Sequence, residues 1–582
     1  MINILNKFFE FSGRQNKRKF YFSIVLGIIS AFCHAIKIPA IYIIARGVVE
    51  QNLQSSDVWK GTAILLGGLL LQIAVSAKSQ MLQTEAGYDT GCQKRIEIAS
   101  HLRYLPMGYF NSKSLGYITS VTTNTMENLC DVATRVVMIT TKGILETLLI
   151  TIMLLFFEWR IGLVAVFGIG ISLIINLYMQ KNAEKVSPKK LVADTSLIEQ
   201  VLEYIQGITE AKSYNMTMEN NQKLEKSIDE ASKVCIDMEK TFIPIMGVQS
   251  WGLKMASILM CMLSLYLGLN GQIDMPTTIV MLISSYMVFA ALEAAGNYSS
   301  LLRVVDLSVE RANEILSISE MDIQGEKIVP QNRDIAMQSV EFSYQDKKVV
   351  DQVSLMIPEK TTAAFVGPSG GGKTTICHLL ARFWDVDSGK VTFDGKNVRE
   401  YDMDSLMQNF SFVFQNVYLF HDTIANNIRF GQPDMPMEKV MEAAKKARCH
   451  EFISALPSGY DTVIGEGGAT LSGGEKQRIS IARAMTKDAP VIILDEATAN
   501  IDPENENELM QAIAALTKEK TVIMIAHRLK TVQSVDQIIV IDSGKVVQKG
   551  RHEELMKEDG LYRKFVEERR KAASWKLGNK SQ

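Results

Sequence analysis

Seven cysteines in 582 residues, none of them in a Cys-x-x-Cys pair, provide neither a disulfide framework nor a zinc site. They are expected to be free thiols, in a reducing compartment or in lipid. Net charge is also scarce. There are 62 lysines and arginines against 64 aspartates and glutamates, and 22% of residues are charged, a balance that argues against nucleic acid as a partner. A cleavable leader is not expected either. Arg14, Lys17, Arg18 and Lys19 precede an apolar run too long for a signal peptide, with no small-residue cleavage site, so the run reads as an anchor that stays. The chain is too long for one ordinary core, and at least two domains are expected.

Apolar length is plentiful in the first half. A helix needs about 20 apolar residues to cross a bilayer. Such runs occur at about 21–48, 61–82, 137–157, 161–180, 243–269 and 277–298. The stretches 83–136 and 181–242 between them are long and basic (Lys94, Arg95, Arg103, Lys181, Lys185, Lys189, Lys190). The connections around 51–57, 158–160 and 270–276 are short and nearly free of lysine. The excess of Lys and Arg marks the cytoplasmic side, so both termini and both long stretches are expected inside. Those stretches read as helical, since Leu197, Val201, Ile205 and Ile208 share one stripe.

After a polar linker at 321–334 the pattern changes to short β-branched runs alternating with helices: TTAAFVG, SFVF, VIILDE, TVIMIAH and QIIVIDSG. That alternation predicts a mostly parallel sheet covered on both faces. The expected class is therefore a multi-domain membrane protein. An all-α six-helix transmembrane domain (1–320) is joined to an α/β P-loop NTPase domain (335–582).

The stretch Gly367-Pro368-Ser369-Gly370-Gly371-Gly372-Lys373-Thr374-Thr375 follows the strand TTAAFV and opens a helix. Its glycines let backbone amides turn inward around a phosphate, and the helix N-terminus adds partial positive charge. Lys373 would reach the outer phosphates, and the Thr374 hydroxyl would ligate Mg²⁺. VIILDE ends a buried strand in Asp495, placed for the Mg²⁺ shell, and Glu496, placed to orient and deprotonate the attacking water. Together these motifs predict binding and hydrolysis of a nucleoside triphosphate. A third motif, LSGGEKQRISIARAMTK, starts a helix with Ser472, Gly473 and Gly474, whose exposed amides form another anion cradle. With a single phosphate loop in the chain, that second cradle points to a second copy of the domain.

At this point the sequence resembles the ATP-binding-cassette transporter family over essentially its whole length. The resemblance implies that Tyr344 stacks on adenine and that Gln415 senses Mg²⁺ and touches the membrane helices. It also implies that Ser472, Gly473 and Gly474 close over the partner's ATP, that Asp502 contacts the dimer partner, and that His527 acts on the γ-phosphate. GEGG at 465–468 would meet coupling helices. Two positions depart from the commonest pattern: Glu475 stands where Gln is frequent, and Ala499-Asn500-Ile501 where Ser-Ala-Leu is usual. His378, His421 and His450 receive no role.

Six spans and one cassette on a single chain resemble an exporter-type half-transporter, needing a second half-transporter chain, either a copy or a relative, in a bacterial cytoplasmic membrane. HLRYLPMGYFNSKSLGYITSVTTNTMENL is similar to the first intracellular helix pair of that group. Outward transport of a drug, peptide or lipid is the expectation. The alternatives are uptake of a ferric siderophore, which RRKAASWKLG (with Trp575) and NYSSLLRVVDLSVERANEIL resemble, or a regulatory ATPase that moves no solute.

Ionisable residues lie inside the apolar runs: Lys37, Lys142, Glu146, Lys254 and Glu293. A charge in hydrocarbon is costly unless water or a partner meets it. Lys142 and Glu146, four apart, suit each other on one helix face. Lys37 lies too deep to snorkel to either surface. His34, Lys37, Trp251 and Lys254 are therefore expected to line a cavity for an amphipathic, anionic substrate, with Lys254–Glu293 pairing as the alternative.

Overall fold

The computed structural model describes residues 2–51, 54–110, 112–215, 221–298, 301–321, 325–344, 347–465, 471–495, 503–526 and 532–574. It divides into two compact units. One contains residues 1–103 and 110–319, the other residues 104–109 and 320–582.

The first unit is helical. After α1 (Ile2–Phe11) come α2 (Gly13–Ala35), α3 (Lys37–Val49), α4 (Ser55–Leu102), α5 (Ser112–Ser120), α6 (Met126–Phe157), α7 (Trp159–Gln206), α8 (Ile208–Ser213), α9 (Gln222–Leu269), α10 (Met275–Met287), α11 (Ala290–Tyr298) and α12 (Leu302–Leu316). Among the described residues, six helical stretches are long and apolar enough to cross a membrane. Helices α4, α7 and α9 have 48 residues each. At 1.5 Å per residue that is about 72 Å, more than twice the roughly 30 Å hydrocarbon core. Ala35, Ile38, Ile150, Leu154, Leu253, Met260 and Phe289 knit the spanning parts together. Exposed Phe22, Phe32, Leu70, Phe156, Phe167 and Leu177 give the unit an apolar exterior suited to lipid.

The first span is interrupted at Ile36. Pro39 has no N–H to give the carbonyl four residues back, and its ring crowds that turn, so the helix breaks just upstream. Lys37 therefore opens α3. Between α5 and α6, residues Val121–Thr125 form a π-helical turn.

The second unit holds two sheets. The larger has six strands in the order β10-β9-β3-β8-β7-β6, from β3 (Thr362–Val366), β6 (Phe410–Val413), β7 (Val491–Asp495), β8 (Thr521–Ile525), β9 (Gln537–Asp542) and β10 (Lys545–Gly550). All neighbours are parallel except β10 and β9. The second sheet is wholly antiparallel, in the order β2-β1-β4-β5, from β1 (Ile335–Tyr344), β2 (Lys347–Ile357), β4 (Ser388–Phe393) and β5 (Lys396–Asn397). The alternation of helix and strand did not announce this sheet. Its strands are half-buried and alternate inward and outward, whereas β3 and β7 are nearly continuous apolar runs. Phe365, Ile376, Leu380, Phe393 and Ile493 fill the core between the sheets.

Candidate functional site

The larger sheet positions the site. Helix α13 (Lys373–Leu380) follows β3 across the loop Gly367–Gly372, at the carboxyl ends of the parallel strands. Two glycines have no substitute there. Gly367 has φ +145°, and a Cβ on it would sit 1.9 Å from the Ile541 carbonyl oxygen. Gly372 has φ +102°, with the Val349 carbonyl oxygen 3.0 Å from where a Cβ would be. Lys373, 6% exposed, donates from its ammonium to the carbonyls of Gly367 at 3.1 Å and Pro368 at 2.8 Å. Thr374 is exposed at the head of the helix and Thr375 is buried. The Thr375 hydroxyl lies 3.3 Å from the Tyr344 hydroxyl. Tyr344, partly exposed, stands edge-on to Phe342 and to Trp384.

Register places the acidic residue. Ile525 on β8 pairs with Phe365 on β3 and with Asp495 on β7, so Asp495 is level with the start of the phosphate loop, two strands away. Two strand spacings are about 10 Å. The Asp495 charge also reaches Cys377 inside α13, where burial first and that carboxylate second hold the thiol well above its ordinary pKa. Gln415, exposed, follows the end of β6, the strand beside β7. The Thr374 hydroxyl, Asp495 carboxylate and Gln415 amide are hard oxygen donors beyond the carboxyl ends of strands of one sheet, a set that fits Mg²⁺.

Ser472 caps α14 (Gly473–Lys487), a helix packed against Leu419, Ile424 and Leu509. Its hydroxyl accepts from the Glu475 amide at 3.3 Å, while the Glu475 carboxylate accepts from the Ser472 amide at 2.7 Å. Glu475 thus closes a capping box, a physical reason for glutamate at that position. Ser472 and Gly473 are exposed and Gly474 is buried. Glu496, His527, Asp502, Ala499-Asn500-Ile501, the 466–468 part of GEGG and Trp575 lie outside the described residues.

Residues singled out in the spans fall into two groups. His34 lies within electrostatic reach of Lys37 and Lys142, and Glu146 within reach of the same two lysines. The Lys142 ammonium is 3.9 Å from the Glu146 carboxylate. In the second group Lys254 is 3.9 Å from Glu293, which also accepts from Ser250. Trp251 and Lys254 are exposed on α9. Among the described residues no hydrogen bond or ion pair joins the groups.

Sequence reasoning missed the seat of Tyr104–Tyr109. This segment belongs to the second unit, where the Met107 amide donates to the Phe383 carbonyl at 3.2 Å.

Comparison with known proteins follows the same division. A family model described as ABC transporter transmembrane region matches residues 20–292, and one described as ABC transporter matches residues 350–499. The chain is 33% identical over 492 residues to the ATP-dependent lipid A-core flippase of Vibrio cholerae serotype O1, covering 81% of each protein. It is 30% identical over 562 residues to the protein of that name from Vibrio vulnificus strain YJ016, covering 93% of this chain and 94% of the relative. Among solved structures, a bacterial Atm1-family ABC exporter with ATP bound superposes with a TM-score of 0.86 at 21% identity, covering 97% of this chain and 99% of that one.

Proposed function

The chain belongs to the ABC transporter family, and on that premise we propose that it exports an amphipathic, anionic lipid-like solute from the bacterial cytoplasmic membrane. It is a multi-pass membrane protein of exporter-type half-transporter form that binds ATP, works as a dimer, and couples ATP hydrolysis to transport. The relatives named above are flippases of a lipid and the neighbouring structure an exporter, so siderophore uptake and a regulatory role are not favoured.

One observation carries the choice of solute. Lys37 and Lys142 gather positive charge within spanning helices, around the His34 ring and against the single carboxylate of Glu146. Cationic side chains at that depth are tolerated where they face a cavity or a charged partner. An anionic head group with an apolar body satisfies both the lysines and the lipid-facing exterior. Lys254 and Trp251 supply a second cationic and aromatic contact on α9.

In the cassette, Tyr344 stacks on adenine, the amides of Gly367–Gly372 and the N-terminus of α13 bind phosphate oxygens, and Lys373 turns from the loop carbonyls to the outer phosphates. Thr374, Asp495 and Gln415 would hold Mg²⁺, which would supply neutralisation of phosphate charge. Glu496 takes a proton from the attacking water, His527 stabilises the γ-phosphate, and Ser472, Gly473 and Gly474 close over the nucleotide of the second chain, a copy or a relative. Both termini and the cassette lie in the cytoplasm.

The test is ATPase activity in lipid discs against lipid A, other acidic lipids, drugs, peptides and ferric siderophores. Stimulation by acidic lipids that Lys37→Ala and Lys254→Ala weaken, with basal activity kept, is the expected result. Unchanged stimulation in both variants returns these lysines to structural pairing.

A further inference from the structure

Strand β6 stands at one end of the larger sheet, and its ladder with β7 stops at Val413, opposite Leu494. One step further along the same register brings Phe414 level with Asp495, and Gln415 comes next. There the backbone meets α14. Gln477, 5% exposed, donates from its side-chain amide to the Phe414 carbonyl at 3.2 Å. Further along the same helix, the Arg483 guanidinium donates to the Tyr418 carbonyl at 3.2 Å. The segment that carries Gln415 is thus strung between two side chains of one helix, with Gln415 at the Gln477 end.

Aromatic stacking holds the side chain of Phe414 but not its peptide. The Phe414 ring lies on Phe412, centroids 5.3 Å apart at 7°, and Phe412 lies on Phe383 at 4.8 Å and 24°. Neither contact orients the peptide group that leads into Gln415. The Gln477 bond does. A peptide is planar, so holding the Phe414 carbonyl oxygen also fixes the direction of the bond from the Gln415 nitrogen to its Cα. The bond therefore sets where the Gln415 side chain starts.

We propose that Gln477 is a positioning residue that presets Gln415 for the Mg²⁺ it would share with Thr374 and Asp495. The proposal rests on the reading of Gln415 as a Mg²⁺ donor. Mg²⁺ demands near-ideal octahedral geometry and keeps water readily, so a donor that is poorly aimed loses its place to water. An exposed glutamine on an unheld loop must also be ordered at each binding event, which costs conformational entropy. Holding the peptide before it lowers that cost, and Gln477 does so from inside the helix that Ser472 caps.

Equilibrium binding of a non-hydrolysable ATP analogue to the full chain in lipid discs tests it without turnover, in EDTA and across a Mg²⁺ titration. Gln477→Met keeps the size of the side chain and removes the donor. It should raise the Mg²⁺ concentration for half-maximal tightening by roughly five-fold, the loss of one hydrogen bond, and leave affinity in EDTA unchanged. Gln477→Leu, also without a donor, should do the same and covers the case in which Gln477→Met fails to fold. Gln415→Ala should raise the midpoint by itself, and adding Gln477→Met to it should raise it no further. An unchanged midpoint in the Gln477 variants, affinity lost equally in Mg²⁺ and in EDTA, or a further rise on top of Gln415→Ala overturns the proposal. Gln415→Ala also separates the two readings. An unchanged midpoint there removes Gln415 as a Mg²⁺ donor. A raised midpoint there, beside an unchanged one in the Gln477 variants, removes only the positioning role.

Discussion

Lys373 in the cassette and His34 in the membrane unit are both nitrogen-bearing side chains set into a fold, and the chain provides for them differently. The Lys373 ammonium donates to two carbonyls of its own loop. The His34 Nδ1 is buried with no hydrogen-bond partner, and so are polar atoms of Ser30, Gln72, Thr140, Glu146 and Thr147 on the same set of spanning helices. An unsatisfied polar group in an apolar setting costs about 1–3 kcal/mol, so several together need partners from beyond the chain. Water, a second chain or a solute can each supply them. The Lys373 contact is built by local backbone, while these polar atoms of the membrane unit await company.

The largest effect that would sharpen this contrast is chemical. Glu496→Gln should keep ATP binding and lower steady-state turnover by about 10²–10⁴-fold, read by ATPase assay beside nucleotide binding. Wild-type turnover would remove the general base from the cassette. A composite site should show next, in mixing experiments. Each hybrid dimer of a Ser472→Arg chain with a Lys373→Ala chain should retain one site free of both lesions, about half the activity of an unmutated homodimer per hybrid, or about a quarter in a random equal mixture, if the two sites act independently. Doubly mutated chains should retain none. Activity that follows the intact phosphate loop regardless of the other chain's Ser472 would make the cassette self-sufficient and break the dimer reading.

Smaller effects compare the units directly. Gly367→Ala forces a Cβ against the Ile541 carbonyl and should destabilise the cassette by about 3 kcal/mol, seen as a lower denaturation midpoint in urea. Lys37→Ala should leave that midpoint alone and weaken the half-maximal concentration of an acidic lipid for ATPase stimulation by roughly ten-fold. If Lys37→Ala instead lowers stability and leaves stimulation unchanged, the two units do not differ in the way described. Ser472→Ala removes one half of the capping box and should cost about 1 kcal/mol of cassette stability.

Local patterns were legible in the sequence and distant ones were not. The phosphate loop, the strand ending in Asp495 and the helix capped by Ser472 each depend on residues within a few positions, so spacing revealed them. The capping role of Glu475 follows from the same serine-to-glutamate interval. Six apolar stretches were equally readable, since lipid demands them. The break at Ile36 was signalled by Pro39, which an apolar-run reading passes over. The pairing of Phe365, Ile525 and Asp495 across the sheet unites residues up to 160 positions apart, as strand order is settled by packing. The bond from the Met107 amide to the Phe383 carbonyl crosses a still longer interval, and nothing near residue 107 advertises it.

Helices α7 and α9 carry a mechanical consequence. A rod of 48 residues turning about one end by about 5° moves its far end by roughly 6 Å, about one helical turn. Small rotations are thereby geared up into strokes comparable with the width of a side chain or a head group. The gearing holds only while the rod is stiff, and each of these two has one soft point, Pro188 in α7 and Pro244 in α9. Proline removes a hydrogen bond there and lets the rod flex. Where along its length a lever bends decides how much of a stroke arrives, and in these helices two prolines set that ratio.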